Sequence, residues 1–86
     1  MLYIHSMTGW IVYILKCADN TLYTGITTDL TARVALHESG AGAKYTRGRG
    51  PLEVFHQEYY PDRSEATRRE REIKRLSRAA KLGLKK

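Results

Sequence analysis

Two short runs of β-branched and aromatic residues, separated by a polar tetrapeptide, constrain the fold of this chain more than any other feature of its sequence. The runs occupy residues 10–15 and 22–26, and Ala-Asp-Asn-Thr at 18–21 lies between them. Residues of the first kind favour extended backbone, whereas Asp and Asn favour turns. The pattern therefore predicts a β-hairpin whose neighbouring strands carry Tyr13 and Tyr23.

The remaining chain predicts a helix, a loop, a third strand and a final helix. Asp29 or Thr28 can cap the first helix, which ends near residues 39–40. Residues 52–60 alternate in a way that favours a strand, although neither of its faces is uniformly apolar. Asp62 or Ser64 can cap the last helix, which runs to about residue 78. We expect an α+β fold, in which a small three-stranded, mostly antiparallel sheet is flanked by helices in the order β-β-α, loop or short helix, β-α.

The length of 86 residues favours one domain. We expect residues 1–8 to be a flexible leader or a lead-in to the first strand, residues 9–79 to be the domain, and residues 80–86 to be a basic C-terminal tail. No run approaches the roughly 20 apolar residues that span a bilayer, so no membrane association is expected. Cys17 is the only cysteine, which excludes an intramolecular disulfide and favours a cytoplasmic location.

The positive charge of the chain is concentrated in its last part. The formal net charge is +6, yet residues 1–61 hold five basic and five acidic side chains, whereas residues 62–86 hold ten basic and four acidic ones. A cluster of this kind is typical of a surface that binds a polyanion. The alternative is a solvated helix face without a partner.

A glycine-rich loop adds a second basic segment. Residues 39–51 contain four of the seven glycines. Glycine lets backbone amides approach an anion closely, and cations in such a loop can hold phosphates. The alternative is a plain flexible connection. With two cations of the last helix, the residues predicted to bind nucleic acid are Lys44, Tyr45, Arg47, Arg49, Arg69 and Lys74.

Two tripeptides within the predicted hairpin resemble those that name the GIY-YIG nuclease domain. Val12-Tyr13-Ile14 resembles the first, with Val in place of Gly, and Tyr23-Thr24-Gly25 resembles the second, with Thr in place of the central Ile. Arg33 and His37 follow on the first helix, and Glu70 follows on the last. The resemblance covers nearly the whole chain and is strongest to the small stand-alone bacterial members, the YhbQ-like proteins.

The resemblance implies a metal-dependent endonuclease with Tyr13, Tyr23, Arg33, His37 and Glu70 as catalytic residues. Glu70 would hold a single divalent ion, Mg²⁺ or Mn²⁺. Helical geometry alone does not distinguish it from a second glutamate, Glu72, because the two lie on opposite borders of the buried stripe. The resemblance favours Glu70.

Each of the other candidate residues has a chemical role in this prediction. Tyr13 takes a proton from the attacking water with Tyr23 in support, and Arg33 stabilises the transition state. His37 steers the water or contacts the phosphate. A phenol with a pKa of about 10 is a poor base at neutral pH. We therefore expect the pKa of one tyrosine to be depressed by Arg33, Lys44 or the metal.

The predicted substrate is DNA, with RNA not excluded, recognised by structure or strandedness in repair or processing. A protein partner or a weak homodimer remains open. Two other functions fit the same features: a nucleic-acid-binding adaptor without catalytic turnover, and a small protein-interaction domain whose basic surface has no function. Cleavage distinguishes the nuclease from the adaptor, and salt-dependent binding distinguishes both from the interaction domain.

Overall fold

The computed structural model describes residues 9–85, so the predicted leader at residues 1–8 lies outside the described residues. The elements are β1 (Trp10–Lys16), β2 (Leu22–Thr27), α1 (Leu30–Glu38), a 3₁₀ turn (Lys44–Thr46), β3 (Glu53–Tyr60), α2 (Arg63–Arg75) and α3 (Arg78–Leu82). None of the helices within the described residues is long and apolar enough to cross a bilayer.

The three strands form one antiparallel sheet in the order β2-β1-β3, which confirms the predicted fold class. The hairpin formed by β1 and β2 places Tyr13 directly opposite Gly25. Both β2 and β3 are edge strands, and α2 packs across all three strands. The edge of β2 is therefore accessible from the surface near the predicted tyrosines.

A β-bulge in β3 explains why neither face of that segment is uniformly apolar. Ile14 pairs with His56 and Leu15 pairs with Val54, so that Phe55 is an extra residue in the ladder. Val54 packs on the α1 side of the sheet, whereas Phe55 packs on the α2 side. The bulge thus changes, partway along β3, which residues face each side of the sheet. Apolar and polar positions therefore do not alternate strictly along the whole strand.

Each face of the sheet has its own hydrophobic cluster. On the α2 side the buried members are Val12, Ile14, Phe55, Ala66 and Ile73. On the other side Ile11, Tyr13 and Leu15 are buried, and Leu30 and Val34 of α1 pack against them. Tyr13 is therefore a core residue as well as a candidate catalytic residue, and its ring position is fixed by packing.

The last helix is shorter than predicted. The prediction extended it to residue 78, but α2 ends at Arg75 and Leu76 is extended, with ψ of 152°. The cause is Ser77, whose side chain accepts a hydrogen bond from the Ala80 amide and starts α3 instead. Leu84 packs partly buried against the α2-side cluster, and the domain limit at residue 79 stays a prediction.

Glu58 of β3 connects the sheet to α2 through a cluster of polar side chains. Its carboxylate accepts hydrogen bonds from Arg69 Nε at 2.8 Å and Nη2 at 3.1 Å, and from the Tyr60 hydroxyl at 2.7 Å. His56 Nε2 lies 2.7 Å from the same carboxylate. The Arg69 bonds, more than any other contact, lower the pKa of Glu58 to about 2.

This pKa predicts that the Glu58 cluster loses its stabilising effect in acid. The folded-state pKa lies below the ordinary value of 4.5, so the contribution is complete at neutral pH and disappears as the pH falls from 4.5 towards 2. We expect Glu58→Gln to lower the free energy of unfolding by roughly 2–3 kcal/mol at pH 7, and by much less near pH 2. Urea unfolding at both pH values measures the difference, with the exposed Glu53→Gln as control. An equal loss at the two pH values would contradict the assignment.

Candidate active site

A cleft opens at the edge of β2 and collects side chains from four elements. It has a volume of about 370 Å³. Four of the five predicted catalytic residues line it: Tyr13 from β1, Tyr23 from β2, Arg33 from α1 and Glu70 from α2. The fifth, His37, lies directly behind Tyr13. The other lining residues are Trp10, Gly25, Ile26, Thr27, Thr28 and Arg63.

Gly25 lets the Tyr13 phenol reach this cleft. A Cβ at position 25 would lie 2.6 Å from the Tyr13 hydroxyl oxygen and 2.8 Å from the adjoining ring carbon. Contacts of this length do not occur in stable structures, so any side chain at position 25 would displace the ring. No role of its own was predicted for Gly25. In the structure, the lack of a side chain at this position leaves room for the Tyr13 phenol.

His37 is bonded to Tyr13 in the protein interior. Its ring is only 2% exposed, and its Nε2 lies 3.0 Å from the Tyr13 hydroxyl. Its Nδ1 lies 2.9 Å from the Thr46 hydroxyl. Both ring nitrogens are therefore occupied by protein groups, and the burial separates His37 from a phosphate in the cleft. Any catalytic contribution of His37 must pass through Tyr13.

The pKa of Tyr13 is raised, whereas we expected the pKa of one tyrosine to be lowered. Burial, reinforced by the neighbouring Tyr23, raises the pKa of Tyr13 well above its usual value, and the opposing effect of Arg33 is smaller. The pKa of His37 is lowered by burial and by Arg33, so its imidazole is neutral at pH 7. The phenol is thus protonated at neutral pH and hydrogen-bonded to a neutral imidazole.

Arg33 lies one helical turn before His37 on α1 and lines the cleft. Within residues 9–85 its guanidinium has no carboxylate within 4 Å, unlike Arg49 or Arg69. A permanently charged, planar fork without an internal partner is suited to bind a phosphate through two hydrogen bonds.

Among the described residues, Glu70 is the only carboxylate that lines the cleft. Its side chain is 19% exposed, and Lys74 Nζ lies 3.1 Å from its Oε2. Glu72, which helical geometry alone did not exclude, is 53% exposed and bonded to Arg69 instead. The structure therefore distinguishes the two glutamates by their position.

The donor set of the cleft fits a hydrated divalent ion rather than a protein cage. No cluster of three His, Cys, Asp or Glu side chains occurs in the described part of the chain. Mg²⁺ keeps several of its waters and is commonly held by one or two carboxylates together with substrate phosphate. Glu70 supplies one such carboxylate at the cleft wall.

The glycine-rich loop folds back onto β2 through its aromatic residue. Tyr45 stacks on Tyr23 with ring centroids 6.0 Å apart and an interplanar angle of 28°. The Arg49 guanidinium lies over the Tyr45 ring, 4.8 Å from its centroid, and pairs with Asp19 in the hairpin turn. Lys44 is exposed beside Tyr45. The loop thus has defined contacts with the hairpin, through Tyr23 and Asp19.

The other predicted binding residues differ in their surroundings. Arg47 donates from Nε to the Gly40 carbonyl at 3.2 Å and is otherwise exposed. Arg69 is bonded to Glu58 and Glu72, so that its charge is largely neutralised. Its role in binding stays a prediction, as do the roles of the other predicted residues.

A shallow groove continues from the cleft along the edge of β2. Two cavities of about 240 and 200 Å³ share Leu22, Tyr45 and Lys81. Lys74 lines the first and Arg78 the second, and Tyr23 joins the first to the cleft. The cationic residues of this path that the sequence had not singled out are Arg63, Arg78 and Lys81.

Comparison with known proteins identifies the class of domain that this site belongs to. Residues 9–83 match the family model described as the GIY-YIG catalytic domain. The chain therefore belongs to the GIY-YIG family, and the resemblance of its tripeptides is confirmed.

Relatives of similar length carry the name UPF0213. One from Natronomonas pharaonis is 60% identical over 70 residues, which is 81% of this chain and 82% of the relative. One from Staphylococcus haemolyticus is 56% identical over 71 residues, or 83% and 87% of the two chains.

Two solution NMR structures have the same fold. A UPF0213 protein from Bacillus halodurans matches with a TM-score of 0.57 and 50% identity, over 88% of this chain and 81% of that one. A protein from E. faecalis matches with a TM-score of 0.62 and 40% identity, over 87% and 80%.

Proposed function

We propose that this protein is a metal-dependent endonuclease that hydrolyses DNA phosphodiester bonds and selects its substrate by structure or strandedness, in DNA repair or processing. One observation carries the proposal: the side chains of Tyr13, Tyr23, Arg33 and Glu70 line a single surface cleft. Membership of the GIY-YIG family supports the same activity.

The residues of the cleft divide the chemistry between them. His37 Nε2, 3.0 Å from the Tyr13 hydroxyl, accepts the phenol proton, and the resulting phenolate takes a proton from the attacking water. Tyr23 packs beside both rings and helps to orient that water. The raised pKa of Tyr13 and the lowered pKa of His37 oppose this transfer in the free protein, so the phenolate has to be stabilised when substrate binds, and Arg33 is a nearby cation that favours it.

Charge compensation comes from two sides of the cleft. Arg33 binds the non-bridging oxygens of the phosphate, whose negative charge grows in the transition state. Glu70 would hold Mg²⁺ or Mn²⁺, and a bound divalent ion supplies countercharge to the phosphate and leaving oxygen. Lys74 pairs with Glu70, and its charge would become available to the substrate backbone if that carboxylate held a cation.

The surface favours recognition of nucleic-acid shape over sequence. The cleft and groove present cations and one exposed aromatic ring, Tyr45, which contact backbone phosphates and stack on any base. Specific base readout in small modules buries roughly 600–1,000 Å², and a domain of 86 residues has little surface for it. The buried free thiol of Cys17 is compatible with a cytoplasmic location.

A cleavage panel tests the proposal. Purified protein is incubated with end-labelled single-stranded, duplex, flap and branched DNA, and with single-stranded RNA, in Mg²⁺, Mn²⁺ or EDTA. We expect cleavage of at least one DNA substrate with either metal and none in EDTA. Absence of cleavage on every substrate with both metals would refute the enzymatic proposal.

One observation favours the adaptor as a second candidate. Burial raises the pKa of Tyr13, which makes its phenol harder to deprotonate than that of an ordinary tyrosine and disfavours its use as a base. The adaptor predicts DNA binding that weakens steeply with salt, without cleavage under any metal condition. Fluorescence anisotropy between 50 and 300 mM salt, run beside the cleavage panel, separates the two functions.

A further inference from the structure

Thr46 is a buried polar residue that the proposed chemistry leaves without a role. It ends the 3₁₀ turn and is only 1% exposed. Its hydroxyl donates to the Ala43 carbonyl at 3.0 Å, and the same oxygen lies 2.9 Å from His37 Nδ1. A threonine hydroxyl has one proton and two lone pairs. Once that proton is given to Ala43, the contact with His37 requires the imidazole to donate.

The donor and acceptor directions then follow along a continuous chain. His37 Nδ1–H donates to Thr46, which leaves Nε2 with a lone pair facing the Tyr13 hydroxyl at 3.0 Å. One contact opposes this direction. The Ala43 amide lies 3.3 Å from Nδ1, and because an amide N–H can only donate, it favours the tautomer in which Nδ1 carries no proton. It is the longest of these contacts, and a hydrogen bond weakens as it lengthens. The shorter bonds therefore favour the tautomer in which Nδ1 is protonated.

We infer that Thr46 is a positioning residue that holds His37 in the Nδ1–H tautomer, so that Nε2 is free to receive the Tyr13 proton. The inference rests on the proposed function for its catalytic meaning, whereas the tautomer itself is a property of the folded protein. In the other tautomer Nε2 would carry a proton and no acceptor would face the phenol.

The glycine before the turn supports this role. A Cβ at Gly42 would lie 2.5 Å from His37 Nδ1 and 2.9 Å from its Cγ, so the loop closes directly onto the ring. This close packing fixes the orientation of the imidazole and places Thr46 within hydrogen-bond distance. The 3₁₀ turn therefore contains two neighbouring residues with different surroundings. Tyr45 is exposed in the groove, and Thr46 is buried beside His37.

Imidazole NMR tests the tautomer without any nucleic acid. Long-range ¹H–¹⁵N spectra of the ¹⁵N-labelled protein distinguish the protonated ring nitrogen from the unprotonated one. We expect the Nδ1–H form of His37 in the parent and in Thr46→Ser, which keeps the hydroxyl. In Thr46→Val, which keeps the shape and loses the hydroxyl, we expect a shift towards the Nε2–H form. An Nε2–H parent, or an unchanged tautomer in Thr46→Val, overturns the inference.

Single-turnover cleavage links the tautomer to turnover. We expect Thr46→Val to cut about 10-fold to 100-fold more slowly at unchanged DNA affinity, and Thr46→Ser to stay within about threefold of the parent. Equal cleavage by the parent and Thr46→Val overturns the positioning role. If the parent does not cut any substrate, the proposed function fails, and the NMR result still decides whether Thr46 sets the tautomer of His37.

Discussion

We expect replacement of Glu70 by glutamine to reduce metal-dependent DNA cleavage by about 10³-fold or more. No other carboxylate within residues 9–85 lines the cleft, so no other described side chain there can replace the negative charge of Glu70. Glutamine has nearly the same shape and loses only the charge and the surface ion pair with Lys74. The measurement is the single-turnover rate across a range of Mg²⁺ concentrations.

Glu72→Gln is the matched control for this substitution. The same change is made two residues along the same helix, where the side chain is half exposed and bonded to Arg69. We expect its cleavage rate to stay within about threefold of the parent. Similar losses in the two variants would show that helix charge, and not a metal-binding carboxylate in the cleft, is responsible. Full activity of Glu70→Gln would remove Glu70 from the site.

Replacing Tyr13 by phenylalanine removes the hydroxyl and leaves the ring in the core. We expect the cleavage rate to fall by about 10³-fold, within the usual range for loss of a general base, while DNA affinity changes little. Tyr13 is 1% exposed, and its ring packs in the cluster between the sheet and α1. Phenylalanine therefore occupies the same space. Rates and anisotropy measured on the same preparation separate catalysis from binding.

Tyr59→Phe is the control for a lost tyrosine hydroxyl. Tyr59 is 70% exposed on β3, and its hydroxyl bonds only to Gln57 within residues 9–85. We expect parental cleavage from this variant. A Tyr13→Phe protein that folds and cuts at the parental rate would contradict the assignment of the base, whatever the result with Glu70.

The features that local sequence determines were predicted well. The hairpin follows from two β-branched and aromatic runs around an Asp-Asn turn, and Asp29 caps α1 through the hydrogen bond expected of an N-cap. The helix spacing places Arg33 and His37 on one face, because they are four residues apart. The GIY-YIG resemblance then assigned candidate roles to these positions.

Features that depend on contacts across the fold were not predictable in the same way. Helical geometry left Glu70 and Glu72 equivalent, and the family resemblance favoured Glu70. The packing of α2 on the sheet then places Glu70 in the cleft and Glu72 outside it. The bulge at Phe55 depends on pairing with β1, so residues 52–60 show no clean alternation. The early end of the last helix at Arg75 depends on a competing cap at Ser77.

The electrostatics of the tyrosines depends on burial, which the sequence does not give. Proximity to Arg33 predicted a lowered pKa for one tyrosine, but desolvation has the larger effect on Tyr13. Thr46 shows no signal in its own sequence context, because its partner His37 lies nine residues away and is reached by the fold of the loop. Gly25 becomes informative only once its register with Tyr13 is known.

The central claim is that these side chains act together on one phosphate in the β2-edge cleft, and Arg33→Ala tests it most directly. Arg33 has no carboxylate partner within the described residues, so its removal does not break an ion pair of the fold. The measurement is single-turnover cleavage by the parent and by Arg33→Ala in Mg²⁺, on the best substrate of the panel. We expect Mg²⁺-dependent cutting by the parent and a rate about 10²-fold lower for the variant. Equal rates for the two proteins would contradict it.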